Sequence, residues 1–245
     1  MQANGRRVDV PGEGFICRRL DAADRYVPPY DDPSKPLVIE VLWPRAEMQD
    51  GALSYPWYGT PGKTVNGNSL VLRVQHGQNR ILLAGDLHAA SMDDLVRAYP
   101  AAGGKPSSLE AHIYKAAHHG SQDFSVPFLK VVKPDGAVIS SGDDRNDLHG
   151  HPRAVLLGTV TRHSRCDKPA VFVTELAACF TRLSKKQQAQ FSSGRAQLYE
   201  RSIQGVIHLR SDGDHLYLGS VHGVKAPEDP LANILWKWDL WPQET

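Results

Sequence analysis

The order of apolar and amphipathic stretches along the chain predicts a layered α/β domain. A β-hairpin is followed by helix, strand, helix, strand, helix and strand up to residue 173, and a second hairpin comes over 206–218. Such alternation of strands with helices is typical of an α/β domain built around one sheet. In sheets of this class the chemistry gathers at the loops that follow strand ends. Polar residues directly after predicted strands are therefore the first candidates for function.

Length and composition are those of an ordinary globular protein with one core. The chain has 245 residues, of which 41% are hydrophobic and 22% are charged. Lys and Arg number 28 against 27 Asp and Glu, so the net charge gives no support to a broad electrostatic surface for nucleic acid. The three cysteines form no C-x-x-C pair, which fits a reducing compartment.

No membrane attachment is expected from the sequence. The N-terminus lacks the apolar stretch of a signal peptide. No apolar run approaches the ~18 residues that a membrane-spanning helix needs. Together with the cysteine pattern, this predicts a cytoplasmic protein that does not enter the membrane.

The first third of the chain holds few predicted elements. Residues 1–36 are rich in Asp, Arg, Pro and Gly and are expected to form a peripheral segment. A strand is predicted over 37–42, and the many Gly and Pro residues of 45–67 predict a long loop. The apolar runs 69–74 and 80–84 are joined by turn residues, which indicates the first hairpin.

The alternating part of the chain is predicted from periodicity and end signals. The predicted elements are a helix over 91–99, a strand over 111–116, a helix over 126–132, a strand over 136–140, a helix over 152–162 and a strand over 170–173. Ser91 is expected to cap the first of these helices, and Pro152 to occupy the first position of the last. Residues 184–200 fit either a helix or a loop, and Asp212-Gly213 is the turn of the second hairpin.

Three polar clusters follow three of the predicted strands. They are Gly85-Asp86, then His118-His119-Gly120-Ser121, then a segment over 146–151 that contains His149-Gly150-His151. A carboxylate and several imidazoles on neighbouring strand ends can converge on one point, and this is a ligand set for zinc or a similar divalent ion. Each residue also has an ordinary structural interpretation: a turn residue for Asp86, a solvated turn for the histidine pair, and a helix start for His149 and His151.

The order of these clusters resembles a known family. The resemblance rests on four motifs: Asn66-Gly67-Asn68-Ser69-Leu70-Val71-Leu72, Leu82-Leu83-Ala84-Gly85-Asp86, His118-His119-Gly120-Ser121 and Gly150-His151-Pro152. They resemble the successive motifs of the metallo-β-lactamase domain in ComEC-type competence proteins and their stand-alone relatives, over residues 37–165. The resemblance implies an αββα sandwich that binds one or two zinc or manganese ions. It also implies hydrolysis of phosphodiester or related ester bonds.

The family's site residues transfer to particular positions of this chain. The resemblance implies that Asp86 bridges two metal ions and that the pair His118-His119 supplies one imidazole ligand, with the choice between the two left open. Ser121 and His151 would line the site, and His151 is a candidate for substrate contact or proton transfer. His88 is a weaker candidate for a supporting role, because it follows Asp86 by two residues.

One expected motif is missing. The family's first metal motif, His-x-(His or Asp)-x-Asp-His, has no match in the chain, so the sequence is expected to represent the C-terminal half of the sandwich. The expected regions are the peripheral segment 1–36, the metallo-β-lactamase-like half-domain 37–225 and a tryptophan-rich tail 226–245. Too few ligands remain for a closed zinc site, so metal binding by this chain alone is expected to be weak or absent.

The missing half also leads to expectations about partners. Half a sandwich leaves one sheet face uncovered, either the strip with Leu70, Leu72 and Val74 or the opposite face with Val71. That face would need residues 1–65, the tryptophan-rich tail, a partner chain or a second copy as cover. The alternative function, from a different class, is a catalytically silent binding or assembly module that keeps the fold without metal. Nucleic acid or another phosphodiester is the expected substrate class for the enzyme.

Overall fold

A computed structural model describes residues 8–9, 16–17, 20–49, 52–101, 103, 106–141, 151–176, 202–203 and 205–221. The polar cluster around His149, the ambiguous segment 184–200 and the tail 226–245 lie outside these described residues. The helices and strands in chain order are β1 (Val8–Asp9), β2 (Ile16–Cys17), β3 (Leu37–Trp43), β4 (Glu47–Gln49), β5 (Ala52–Ser54), α1 (Pro61–Gly67), β6 (Val71–His76), β7 (Asn79–Leu83), α2 (Ala89–Ala98), β8 (Ile113–Lys115), a 3₁₀ turn (Ala117–Gly120), α3 (Val126–Val132), β9 (Gly136–Ile139), α4 (Ala154–Arg162), β10 (Ala170–Val173), β11 (Glu175–Leu176), β12 (Ser202–Ile203), β13 (Val206–Ser211) and β14 (Leu216–Val221).

The main sheet combines an antiparallel half with a parallel half. Its six strands lie in the order β10-β9-β8-β7-β6-β3. The strands β3, β6 and β7 pair antiparallel, whereas β7, β8, β9 and β10 pair parallel. Among the described residues, the helices α2, α3 and α4 lie in the connections between successive parallel strands, because a parallel crossover must return the chain to the starting edge of the sheet. The predicted α/β class is therefore confirmed.

Alternation of side chains along the strands divides the interior into two cores, one on each face of the sheet. The helix-side core contains strand residues Leu82, Tyr114 and Ala137 and helix residues Met92, Leu95, Phe128, Leu129, Leu156 and Val160. The hairpin-side core contains Ile81, Ile113 and Leu218, packed with Val74, Leu83, Val138, Phe172, Ile207, Leu209 and Leu216. Full burial of each large apolar side chain contributes about 1.5–3 kcal/mol.

The second face of the sheet is covered in part by the chain's own β13–β14 hairpin. Gln78 N–H donates to the Gly213 carbonyl at 2.8 Å, so the turns of the two hairpins meet. The Asn79 side-chain amide donates to Ser211 Oγ at 2.9 Å and to the His215 carbonyl at 3.0 Å. Val71 is fully buried in the helix-side core. Cover by this hairpin was not expected from the sequence.

The outer edge of β3 is hydrogen-bonded by the segment before it. Val27 N–H donates to the Ile39 carbonyl at 2.9 Å, and Ile39 N–H donates to the Tyr30 carbonyl at 3.0 Å. Val41 N–H donates to the Arg25 carbonyl at 2.7 Å. Part of the predicted peripheral segment 1–36 therefore lies alongside the sheet and satisfies the edge amides.

Three predicted features differ from the structure for a local reason. The predicted loop 45–67 contains β4, β5 and α1, and α1 begins with Pro61 after Thr60, whose Oγ1 accepts the Lys63 N–H at 3.2 Å. The helix α2 is capped by His88 instead of Ser91, which lies inside the first turn and accepts the His88 N–H at 3.1 Å. The helix α4 begins at Ala154 with Arg153 as its cap, so Pro152 precedes the helix.

Within the described residues, no helix combines the length and the apolar character needed to cross a membrane.

Candidate functional site

Asp86 lies just beyond the carboxyl end of β7, in a loop whose backbone conformation requires glycine at position 85. Gly85 has a φ of +52°, and a Cβ at this position would lie 2.6 Å from the Ser69 Cβ. The next residue, Leu87, is fully buried and anchors the loop in the helix-side core. The Asp86 side chain is 40% exposed. The loop therefore presents this carboxylate to solvent from a fixed backbone.

The His118-His119 turn lies next to this loop, because β7 and β8 are parallel neighbours. His118 N–H donates to the Gly85 carbonyl at 3.0 Å, which joins the two loops directly. Both histidines adopt left-handed backbone conformations, with φ values of 47° and 53°. Such a conformation costs a residue with a side chain roughly 1–2 kcal/mol. The backbone of this turn is therefore strained. The contacts of the two imidazoles differ.

The His119 imidazole lies between a backbone carbonyl and the Asp86 carboxylate. Its Nδ1 is 2.7 Å from the Ser140 carbonyl oxygen, and since a carbonyl can only accept, Nδ1 carries the proton in this contact. Nε2 faces Asp86 Oδ1 at 3.8 Å. These two atoms attract each other only when a proton or a cation lies between them. Fixing one ring nitrogen by a carbonyl is also how proteins orient a metal-binding imidazole.

The His118 imidazole faces His151 instead of Asp86. The two ring centroids are 5.7 Å apart in an edge-to-face arrangement. Among the described residues, the buried Nδ1 atom of His118 has no hydrogen-bond partner. His151 is brought close because Arg153 N–H donates to the Gly120 carbonyl at 2.8 Å. A Cβ at Gly120 would lie 2.7 Å from the Pro152 Cβ, so this approach needs glycine.

Ser121 lies beneath the turn and is 8% exposed. Its N–H donates to the His118 carbonyl at 2.9 Å, and its hydroxyl oxygen accepts the Asp123 N–H at 3.1 Å. Asp123 in turn accepts the Ala89 N–H at the start of α2, at 3.2 Å. The contacts of Ser121 therefore hold the loop together. His88 has a similar structural role, because its Nε2 lies 3.0 Å from the Lys63 carbonyl and its ring packs on Tyr58.

Lys115 also belongs to the neighbourhood of Asp86, and sequence reasoning missed it. It is the last residue of β8 and lies opposite Leu83 in the parallel pair β7–β8. Burial lowers the pKa of Lys115, and the charge of the Asp86 carboxylate raises it in part. The available signal was a lysine in an apolar strand, directly before the His-His-Gly-Ser loop. In the sequence this lysine had the ordinary appearance of a solvent-facing strand residue.

The donor set does not complete a metal centre by itself. In the part of the chain that the structure describes, no group of three or more His, Cys, Asp or Glu side chains is arranged to hold a metal ion. Asp86 and His119 supply two donors, whereas a catalytic zinc site has three protein ligands and a water. The described residues therefore fit a partial site and not a full one.

A second polar cluster lies near the amino ends of β8 and β9. Arg165 Nε is 3.1 Å from Asp135 Oδ1, and its Nη1 is 3.4 Å from Glu110 Oε1. His112 Nδ1 accepts the Arg80 N–H at 3.0 Å. Burial lowers the pKa of His112 to about 4, with the positive charges of Arg165 and Arg80 as smaller causes. Burial raises the pKa of Asp135 to about 6, because its effect exceeds that of the nearby arginines.

The fold and this site together define an α/β domain with a carboxylate and three imidazoles around the carboxyl ends of parallel strands. The chain is 30% identical to ComE operon protein 3 of Bacillus subtilis (strain 168) over 100 residues, which are 40% of this chain and 12% of that protein. It is 36% identical to competence protein ComA of Neisseria gonorrhoeae over 99 residues, 40% of this chain and 13% of that protein. These similarities support a relationship to competence proteins, and each relative is much longer than the matched region.

No protein-family model matches the chain, and no solved structure matches it.

Proposed function

We propose that this chain carries the C-terminal half of a metallo-β-lactamase-like αββα metallohydrolase whose substrate is a phosphodiester. The observation that supports it most is the arrangement of His119, with Nδ1 fixed on the Ser140 carbonyl and Nε2 facing Asp86 Oδ1 at 3.8 Å. A metal-binding imidazole is oriented in the same way, with its other ring nitrogen donating to a carbonyl. The relationship to competence proteins favours DNA as the phosphodiester.

In this proposal the described residues have separate roles. Asp86 and His119 are two ligands of a divalent ion, zinc or manganese, whose other ligands come from outside the described residues. Such an ion supplies the Lewis acidity that ester hydrolysis requires. His151, in contact with His118, contacts the substrate or moves a proton. Ser121 lines the site, and its contacts with His118 and Asp123 hold the loop in place.

The competing function is a catalytically silent binding or assembly module. It is favoured by one observation, that no third metal donor joins Asp86 and His119 among the described residues. The two functions differ in whether a metal ion binds at this carboxylate at all.

The deciding experiment is a metal titration of the chelator-treated chain, followed by hydrolysis assays. We expect weak, saturable binding of zinc or manganese by calorimetry. Asp86→Asn and His119→Gln should each weaken it on the order of 100-fold, because even changes to residues behind the ligands cost 10–100-fold. His215→Gln is the matched control, since this exposed histidine lies on the β13–β14 hairpin and contacts Asp212. Its binding should equal that of the unmodified chain.

Hydrolysis is then measured on bis(p-nitrophenyl) phosphate and on labelled single-stranded DNA, with and without added metal. Metal-dependent cleavage that is lost in both site variants supports the hydrolase. Saturable metal binding that is unchanged in both variants contradicts the proposed site. Metal binding that is absent at millimolar concentration, together with no metal-dependent cleavage, leaves the silent module.

A further inference from the structure

Lys115 places a positive charge on an apolar part of the sheet. In the parallel sheet its neighbours are Leu83 on β7 and Val138 on β9. Paired residues of adjacent strands point to the same face, and both neighbours pack against the hairpin-side core. Lys115 itself is half-buried. An ammonium group in such surroundings needs a compensating negative charge.

Asp86 is positioned to supply that charge. It follows Leu83 by three residues, and Leu83 is the direct partner of Lys115. The loop that carries Asp86 is fixed to the loop after Lys115 by the hydrogen bond from His118 N–H to the Gly85 carbonyl. The electrostatic interaction of the Asp86 carboxylate with Lys115 offsets part of the effect of burial. Strand register and loop contact thus bring these two charges to the same edge of the sheet.

We infer that Lys115 is the built-in counter-cation of Asp86, and that it competes with a divalent ion for this carboxylate. Asp86 therefore has a positively charged partner in the metal-free chain, and a metal ion must displace or share it. This competition lowers metal affinity beyond the effect of missing ligands. The competition rests on the proposed metal site, whereas the pairing of Lys115 with Asp86 does not.

The first experiment is a double-mutant cycle in the presence of chelator, so that it does not depend on metal. Urea unfolding is measured for Lys115→Met, Asp86→Asn and the double variant. The unfolding equilibrium constant of the double variant should depart at least about 2-fold from the product of the single effects, the lower end of the range for residues coupled through one electrostatic network. Lys115→Arg should keep the coupling, because the positive charge remains. Additive effects would overturn the inference, whatever the metal titrations show.

The second experiment is zinc titration of Lys115→Met against the unmodified chain. Removing the competing cation should raise zinc affinity at least about 2-fold, in line with the lower end of the coupling expected within one electrostatic network. Lys130→Met is the control, since Lys130 is exposed on α3 and should leave zinc affinity unchanged. Unchanged or weaker zinc binding by Lys115→Met, where the unmodified chain does bind zinc, would overturn the competition. Coupling in the cycle with no zinc binding by either protein would support the pairing and contradict the proposed function.

Discussion

The two histidines after β8 are held in backbone conformations that favour glycine, and this sets the direction of both imidazoles. His119 faces Asp86, and His118 faces His151. The sequence predicted that these residues belong together but left open which imidazole approaches the carboxylate. That choice depends on two consecutive left-handed residues, and no pattern of side chains along the chain reports them. Lys115 was missed for the related reason that its surroundings come from the neighbouring strands.

We expect His118→Gly to raise the free energy of unfolding by about 0.5 kcal/mol. Relief of the left-handed conformation gains roughly 1–2 kcal/mol, and the greater freedom of unfolded glycine costs about 0.4–1 kcal/mol. Urea unfolding at neutral pH measures the change. Lys133→Gly is the control, because Lys133 ends α3 with a φ of 46° and should gain similarly. A loss above about 1 kcal/mol for His118→Gly alone would mean that this imidazole stabilises the fold.

Among the elements, α3 and β10 have the bounds that the sequence predicted. Both have clear local signals, a Ser cap followed by Pro for α3 and a short β-branched and aromatic run for β10. The short helix α1 was missed because it contains two glycines within seven residues, a composition that is typical of loops. The contact between the two hairpins was also not predictable, since it joins segments far apart in the chain.

This hairpin contact depends on glycine at position 77. A Cβ at Gly77 would overlap the Gly213 carbonyl and lie 2.8 Å from the Gly213 Cα, and Gly77 has a φ of +55°. We therefore expect Gly77→Ala to cost at least about 1–2 kcal/mol from the backbone conformation alone, with further loss from the displaced hairpin. Increased binding of a hydrophobic dye should accompany it, because the hairpin-side core opens.

Gly158→Ala is the matched control for this substitution. Gly158 lies in α4, and a Cβ there would meet nothing within 4 Å. Alanine should stabilise the helix by up to about 1 kcal/mol. Equal unfolding free energies for the two variants would show that the hairpins do not depend on this contact.

At the scale of the whole molecule, the sequence predicted the α/β class correctly because alternation of elements is a long-range property that survives local errors. The expected bare sheet face was partly wrong, since β13 and β14 pack on it. The sequence placed this hairpin within the predicted half-domain 37–225 but did not show which sheet face it covers. Which segment packs on a given sheet face depends on contacts between distant parts of the chain. The apolar pattern of one segment does not specify these contacts.

The stability of the fold should respond to pH through buried His112 and partly buried Asp135, which have opposite effects. Burial lowers the pKa of His112 from 6.5 to about 4, so the stability that neutral His112 contributes is lost as pH falls from about 6.5 to 4. Burial raises the pKa of Asp135 from 3.8 to about 6, so the stability that protonated Asp135 contributes is lost as pH rises from about 3.8 to 6. Between these limits the two slopes oppose each other, each at most about 1.4 kcal/mol per pH unit.

We expect single substitutions of His112 and Asp135 to separate the two opposing slopes of unfolding free energy against pH. Unfolding free energy of His112→Gln should rise on acidification from pH 6 to 4, because only the Asp135 effect remains. That of Asp135→Asn should fall over the same interval. The slope is compared instead of the level, since Asp135→Asn also removes the ion pair with Arg165. Parallel pH profiles for the two variants and the unmodified chain would contradict the assignment.

The hydrogen bonds along the outer edge of β3 limit how this molecule can associate. An exposed strand edge invites another chain to add a strand, and this is a common route to aggregation. Here Arg25, Val27 and Tyr30 already use the groups that an incoming strand would pair with on this side. Growth of an intermolecular sheet is therefore blocked at the β3 edge. A chain that associates with the domain on this side must recognise its side chains, and sequence-specific contacts then replace generic backbone pairing.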